Sequence, residues 1–276
     1  GDEYLLVPLA GPSFCPKSPS SSIPGSNLTL ADGTTSPQNL IYSVTPSSAD
    51  NCVGDPFLVT ITVNPTAQVD EVVSQVLCNN ESTDAINFST ENLDGTTTYA
   101  WTNNNTATGL EASGNGNIPS FTATAGTSPE VSTITVTPTY TNNEITCTGP
   151  TETFTITVNP TAQMGEVPDY VFCNGEEIID EINFTTENSG GTTAYVWENT
   201  GGVDIGLPSS SGTIQDTNPY LSFTAVNTGA DAISTQITVY PTFTNAGETC
   251  FDTDASQNFT ITVRPTTNVT AFDDQF

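Results

Sequence analysis

The chain has no histidine, and its only basic residues are Lys17 and Arg264. Lack of His excludes triads and imidazole bases, leaving a carboxylate pair as the one general acid–base arrangement open to it. No such pair stands out. Glu71, Glu111, Glu177 and Glu198 scatter through turns and strand ends, and matched positions of the repeats described below carry no matching carboxylates, so these residues read as solvated surface charge. The sequence is therefore read as non-enzymatic. Against 31 acidic residues the two cations leave a formal net charge of −29, which makes nucleic acid and anionic membrane poor partners.

Other absences narrow the class further. No apolar run approaches the roughly 18 residues a spanning helix needs, so no membrane insertion is expected, and helical periodicity is nowhere convincing. The first residue is Gly1 rather than Met and no basic start with an apolar stretch follows it, so the chain is expected to be processed or excised from a longer one. C-x-x-C pairs are missing, which with no His leaves zinc a poor fit. Calcium is the one metal the oxygen-rich composition keeps open as a cofactor. Even so, no D-x-D-x-D-G loop occurs, and Asp70 with Glu71 has only Glu166 and Asp169 as loose counterparts.

What is present is a repeat. Phe57 to Gln68 reads FLVTITVNPTAQ, Phe154 to Gln163 reads FTITVNPTAQ and Phe259 to Asn268 reads FTITVRPTTN, with Pro65, Pro160 and Pro265 spaced by 95 and 105 residues. Phe154, Ile156 and Val158 alternate with threonines, the period of two of a half-buried strand. Proline cannot donate to a sheet ladder, so each Pro ends its strand and marks a module boundary. The expected organisation is a short or partial β module at 1–65, sandwiches at 66–160 and 161–265, and a linker or the start of a further module at 266–276.

Within 66–160, strands are expected at Val76–Cys78, Ile86–Phe88, Tyr99–Trp101, Gly109–Ala112, Phe121–Ala125, Ile134–Tyr140 and Phe154–Val158. About seven short strands separated by Gly, Asn and Ser clusters describe an all-β, immunoglobulin-like β-sandwich. The third module repeats these landmarks with an insertion around Pro208 to Tyr220, a change surface loops accept cheaply. Tyr99 with Trp101, and Tyr195 with Trp197, share one strand face each and are expected to pack in the cores. The alternative, an aromatic platform for sugars, needs exposed rings.

Six cysteines fall two per module, one near the first strand and one just before the last. The expectation is a disulfide within each module: Cys15 with Cys52, Cys78 with Cys147, and Cys173 with Cys250. That implies an oxidising, extracellular compartment.

The runs V-N-P-T-A-Q, V-L-C-N-N-E-S-T-D-A-I-N-F-S-T, T-T-T-Y-A-W-T-N, G-N-G-N-I-P-S-F-T-A and C-T-G-P-T-E-T-F-T-I-T-V-N-P carry a resemblance. They are similar to the repeats of SprB-type giant gliding-motility adhesins, which resemble PKD-like and immunoglobulin-like modules, well from Thr66 to Pro265 and, before that, only near Pro65. The resemblance implies a mobile adhesin on the bacterial cell surface, exported by the type 9 secretion system and carried by the gliding machinery. Its partners would be neighbouring modules and an extracellular surface or glycan. Two readings follow: a stalk segment of such an adhesin, or a carbohydrate-binding or other ligand-binding accessory module of a secreted protein.

Overall fold

The computed structural model describes residues 3–10, 28–47, 52–215 and 217–267. Strands β1 (Glu3–Ala10), β2 (Gln38–Ser47) and β3 (Phe57–Val63) form a three-stranded antiparallel sheet in that order.

The second unit holds β4 (Gln75–Cys78), β5 (Thr96–Asn103), β6 (Ser113–Asn115), β7 (Glu130–Asn142), β8 (Ile145–Thr148) and β9 (Glu152–Asn159). The sheet order is β4-β9-β7-β5-β6, with β8 also on β7. The long β7 carries β8 and β9 end to end along one side, while β4 runs parallel to β9. Alternation sets the core: Ile134, Val136 and Tyr140 of β7 and Phe154, Ile156 and Val158 of β9 are all buried, while the threonines between them are only partly covered.

The third unit repeats this plan with β10 (Tyr170–Cys173), β11 (Glu177–Ile178), β12 (Thr192–Asn199), β13 (Ser211–Gln215), β14 (Phe223–Thr224), β15 (Ile233–Asn245), β16 (Glu248–Phe251) and β17 (Gln257–Arg264). Its main sheet is β10-β17-β15-β12-β13 with β16 on β15, and β11 pairs with β14 apart from it. Each unit has a separate apolar cluster, one running from Ile86 to Val158 and the other from Val167 to Val263.

The chain is an all-β sandwich protein, but the second layer is thinner than the sequence predicts. Ile86–Phe88 and Phe121–Ala125 form isolated bridges, Ile86 to Ile118 and Ser82 to Thr122, rather than continuous strands. Their side chains still fill the core: Ile86, Phe88, Ile118 and Ala123 are buried against β7 and β9. The strand expected at Gly109–Ala112 is displaced to β6, because Gly109 ends the 3-10 turn Thr106–Thr108 in the left-handed region at φ 94°. An added Cβ at Gly109 would also press on the Thr122 carbonyl. Part of the Pro208–Tyr220 insertion forms β13 on β12.

Trp101, Tyr195 and Trp197 are buried and Tyr99 is half-buried. Trp101 lies opposite Gly114 and Trp197 opposite Gly212 across the strand pair. A Cβ on either glycine would overlap the indole, so each glycine keeps the face of its neighbouring strand open for the ring. Neither indole is placed to stack on a sugar.

Candidate functional site

The polar chemistry that recurs in the chain lies where one unit meets the next. At the first joint, the Asn142 side-chain amide donates to Asn64 Oδ1 at 3.0 Å, and the Asn64 amide donates to the Asn142 carbonyl at 3.3 Å. At the second joint Asn245 donates to Asn159 Oδ1 at 2.8 Å, and Asn159 donates to the Asn245 carbonyl at 2.9 Å. Both are reciprocal clasps between an asparagine at the end of one unit's final strand, directly after β3 or last in β9, and the last residue of the next unit's longest strand.

A second contact repeats beside each clasp. Asn92 Oδ1 accepts the Gln68 N–H at 2.8 Å while its amide donates to the Thr66 carbonyl at 3.1 Å. Asn188 does the same with Gln163 at 2.7 Å and Thr161 at 3.1 Å. Thus a Thr-Glu-Asn turn pins the chain leaving each proline. The main chain closes the joint through Leu93 N–H to Thr35 O at 2.8 Å and Ser189 N–H to Thr127 O at 3.0 Å. Pro65, Ala67, Pro160 and Ala162 are buried there, and a Cβ on Gly149 would overlap the Ala67 carbonyl. Buried amides stabilise only when paired, and these are paired reciprocally.

The second joint is also covalent. Cys78 is bonded to Cys250, with Cα atoms 5.6 Å apart at a sequence separation of 172. This corrects the pairings expected within modules, Cys78 with Cys147 and Cys173 with Cys250. Cys78 sits beside Asn159 on the β4–β9 pair, while Cys147 lies opposite Tyr140 near the other end of β7. About ten residues of strand, roughly 33 Å, separate the two ends, whereas a disulfide tolerates no more than about 7 Å between Cα atoms. The same distance separates Cys173, beside Arg264, from Cys250, opposite Phe243. Cys15 lies outside the described residues, and its expected bond to Cys52 with it. Cys147 and Cys173 carry no disulfide among the described residues.

The sequence reading missed the hairpins that carry Cys147 and Cys250. Each is closed by two residues with positive φ, Asn143 (49°) with Glu144 (63°), and Ala246 (51°) with Gly247 (83°), as a tight two-residue turn requires. It also missed a matched carboxylate three residues after each first-strand cysteine. Glu81 Oε2 accepts the Cys78 N–H at 2.9 Å and Glu176 Oε2 accepts the Cys173 N–H at 2.7 Å. These two carboxylates cap turns. Among the described residues no three Cys, Asp or Glu side chains converge as a metal cluster would, and the joints are built from amides.

Residues 20–67 match a family model described as a PKD-like domain. No curated protein matches the chain. Among solved structures the protocadherin γB4 extracellular domain is similar at 12% identity and a TM-score of 0.39, over 96% of this chain and 45% of that one. The three N-terminal domains of the bacteriophage RB49 outer capsid protein Hoc are similar at 13% identity and a TM-score of 0.40, over 96% of this chain and 89% of that one. The fibronectin(III)-like modules of Clostridium thermocellum CbhA are similar at 12% identity and a TM-score of 0.29, over 72% and 95%. The chain thus spans under half the length of the protocadherin it resembles.

Proposed function

We propose that this chain is a non-catalytic stalk segment of an extracellular bacterial adhesin, its sandwich units divided at Pro65, Pro160 and Pro265. The observation that carries the reading is the second joint. There the backbone at Pro160 and the Cys78–Cys250 bond are two covalent links between the same pair of units. One link alone is a hinge, and a second at a different point resists bending and twisting. The repeated asparagine clasp serves the same end at the first joint.

The disulfide supports an oxidising, extracellular setting, and the acidic surface keeps neighbouring stalks apart. The SprB-type resemblance extends the reading to the surface of gliding bacteria and to export by the type 9 system. Adhesion to a surface or glycan then belongs to the assembled stalk rather than to one pocket of this segment. Small-angle scattering on oxidised and reduced protein tests the stalk. The oxidised chain is expected to give one extended, narrowly distributed shape, with reduction broadening the distribution. Equal flexibility in both states would count against a load-bearing joint.

A further inference from the structure

We propose that the face formed by Cys173 and Arg264 is the receiving half of a third joint, covalent like the second, which takes the hairpin cysteine of a sandwich unit following Pro265. The partner's hairpin would offer a hydrogen-bond acceptor, best a carboxylate, where the first two joints use asparagine. The inference rests on the tandem-stalk reading and adds the partner and its recognition chemistry.

Three observations make Cys173 the counterpart of Cys78. Cys173 is paired beside Arg264 as Cys78 is paired beside Asn159, each on a first strand parallel to the last. The turns that follow are superposable in their bonding. Asn79 donates to Thr161 Oγ1 at 3.0 Å and accepts the Ala125 N–H at 2.9 Å, while Asn174 donates to Thr266 Oγ1 at 2.8 Å and accepts the Asn227 N–H at 2.8 Å. In both turns the glutamate three residues on holds the cysteine N–H. The same built turn that presents Cys78 to Cys250 therefore presents Cys173, which is exposed.

Arg264 is the difference between the two faces. It stands where Asn159 is wholly buried in the clasp, yet it is itself exposed. Asn159 both donates and accepts at its joint, but a guanidinium only donates. An asparagine partner would have its amide left unanswered, and an aspartate or glutamate would be met in full. In a chain with a net charge of −29, a cation at this position also selects among acidic hairpins. Bond formation removes two electrons and two protons from Cys173 and the hairpin thiol, and a low-molecular-weight disulfide such as oxidised glutathione accepts them and leaves as two thiols.

The test uses the full chain extended after Pro265 by a second copy of residues 161–265, oxidised in a glutathione buffer and mapped without reduction. The expected product links Cys173 to the copy's counterpart of Cys250. Asn245→Asp made in the copy should raise the linked fraction about two- to five-fold at low salt, and Arg264→Gln should abolish that gain. Arg264→Asn in the extended chain recreates the second joint's clasp and should link as fully as Cys78 does. The Cys78–Cys250 bond in the same molecule reports folding. If that bond forms while Cys173 stays open to alkylation in both the Arg264 and Arg264→Asn chains, the third joint is wrong and the stalk reading stands. If Cys78–Cys250 is itself absent, the stalk reading fails first.

Discussion

Three residues show how single positions serve the joints, the core and the turns. Tyr140 is wholly buried and its hydroxyl donates at 2.7 Å to the carbonyl of Leu93, the residue whose own N–H closes the first joint. Tyr140→Phe should cost about 1 kcal/mol in urea unfolding, and no loss would show the bond to be dispensable. Burial, then the charge of Asp94, raises the Tyr140 hydroxyl pKa above 10.0. A raised folded value favours the protonated form, so this contribution holds below the ordinary tyrosine range and is lost as pH rises through the folded value. Gly114 is the second case: Gly114→Ala forces a methyl into Trp101 and should destabilise by about 1 to 3 kcal/mol, read as a lower melting temperature. Glu181 is the third. The N–H groups of Ile179 and Asp180 donate to its Oε2 at 2.9 and 3.2 Å. Backbone hydrogen bonds, Ile179's first, hold its carboxyl below the ordinary value of 4.5. The cap is fully present above that unfolded value and fades as pH falls through the lower folded one. A carboxyl titration by NMR should find Glu181 protonating after most other acids, and an ordinary value would remove the cap.

Hairpins and last strands are the elements on which the joints depend. Ala246 takes φ 51° in the turn before β16, a conformation asparagine accepts more readily than alanine. Ala246→Asn should therefore stabilise the third unit by up to about 1 kcal/mol, measured by chemical unfolding, and a loss would mean the turn is not the tight one described. This element also shows where sequence reading stops. The last strands were legible because Phe, Ile and Val alternate with Thr, and burial on one face enforces that period. The β7–β8 hairpin was not, since Glu-Ile-Thr-Cys-Thr has little apolar alternation and Asn143-Glu144 lacks the usual turn glycine. Missing it left Cys147 just before the final strand, with nothing to show that the length of β7 puts Cys78 out of its reach. The clasp had a visible signal in Asn64 and Asn159, which recur in V-N-P, but hydrogen bonding between units has no sequence period of its own. Trp101 and Trp197 were legible as core aromatics, whereas the glycines facing them emerge only from the strand register.

At the scale of the whole molecule, the Cys78–Cys250 bond closes a loop of 172 residues, which in the chain-entropy model corresponds to about 5 kcal/mol of stabilisation. That stabilisation is shared by two units with separate cores, so it couples their unfolding. Oxidised protein should melt with the second and third units in one transition, and a Cys78→Ser, Cys250→Ser chain should separate them in calorimetry. Unchanged separation would show that the joint transmits little. Asn159→Ala, by the same logic, should loosen the joint in reduced protein and have less effect in oxidised protein, because the remaining covalent link still fixes the geometry.

The most direct test of a stapled, load-bearing array is peptide mapping of unreduced protein with a protease that does not depend on basic residues. The account predicts a linked peptide pair containing Cys78 and Cys250. Pairs joining Cys78 to Cys147, or Cys173 to Cys250, would contradict it and return the chain to independent, internally bridged units.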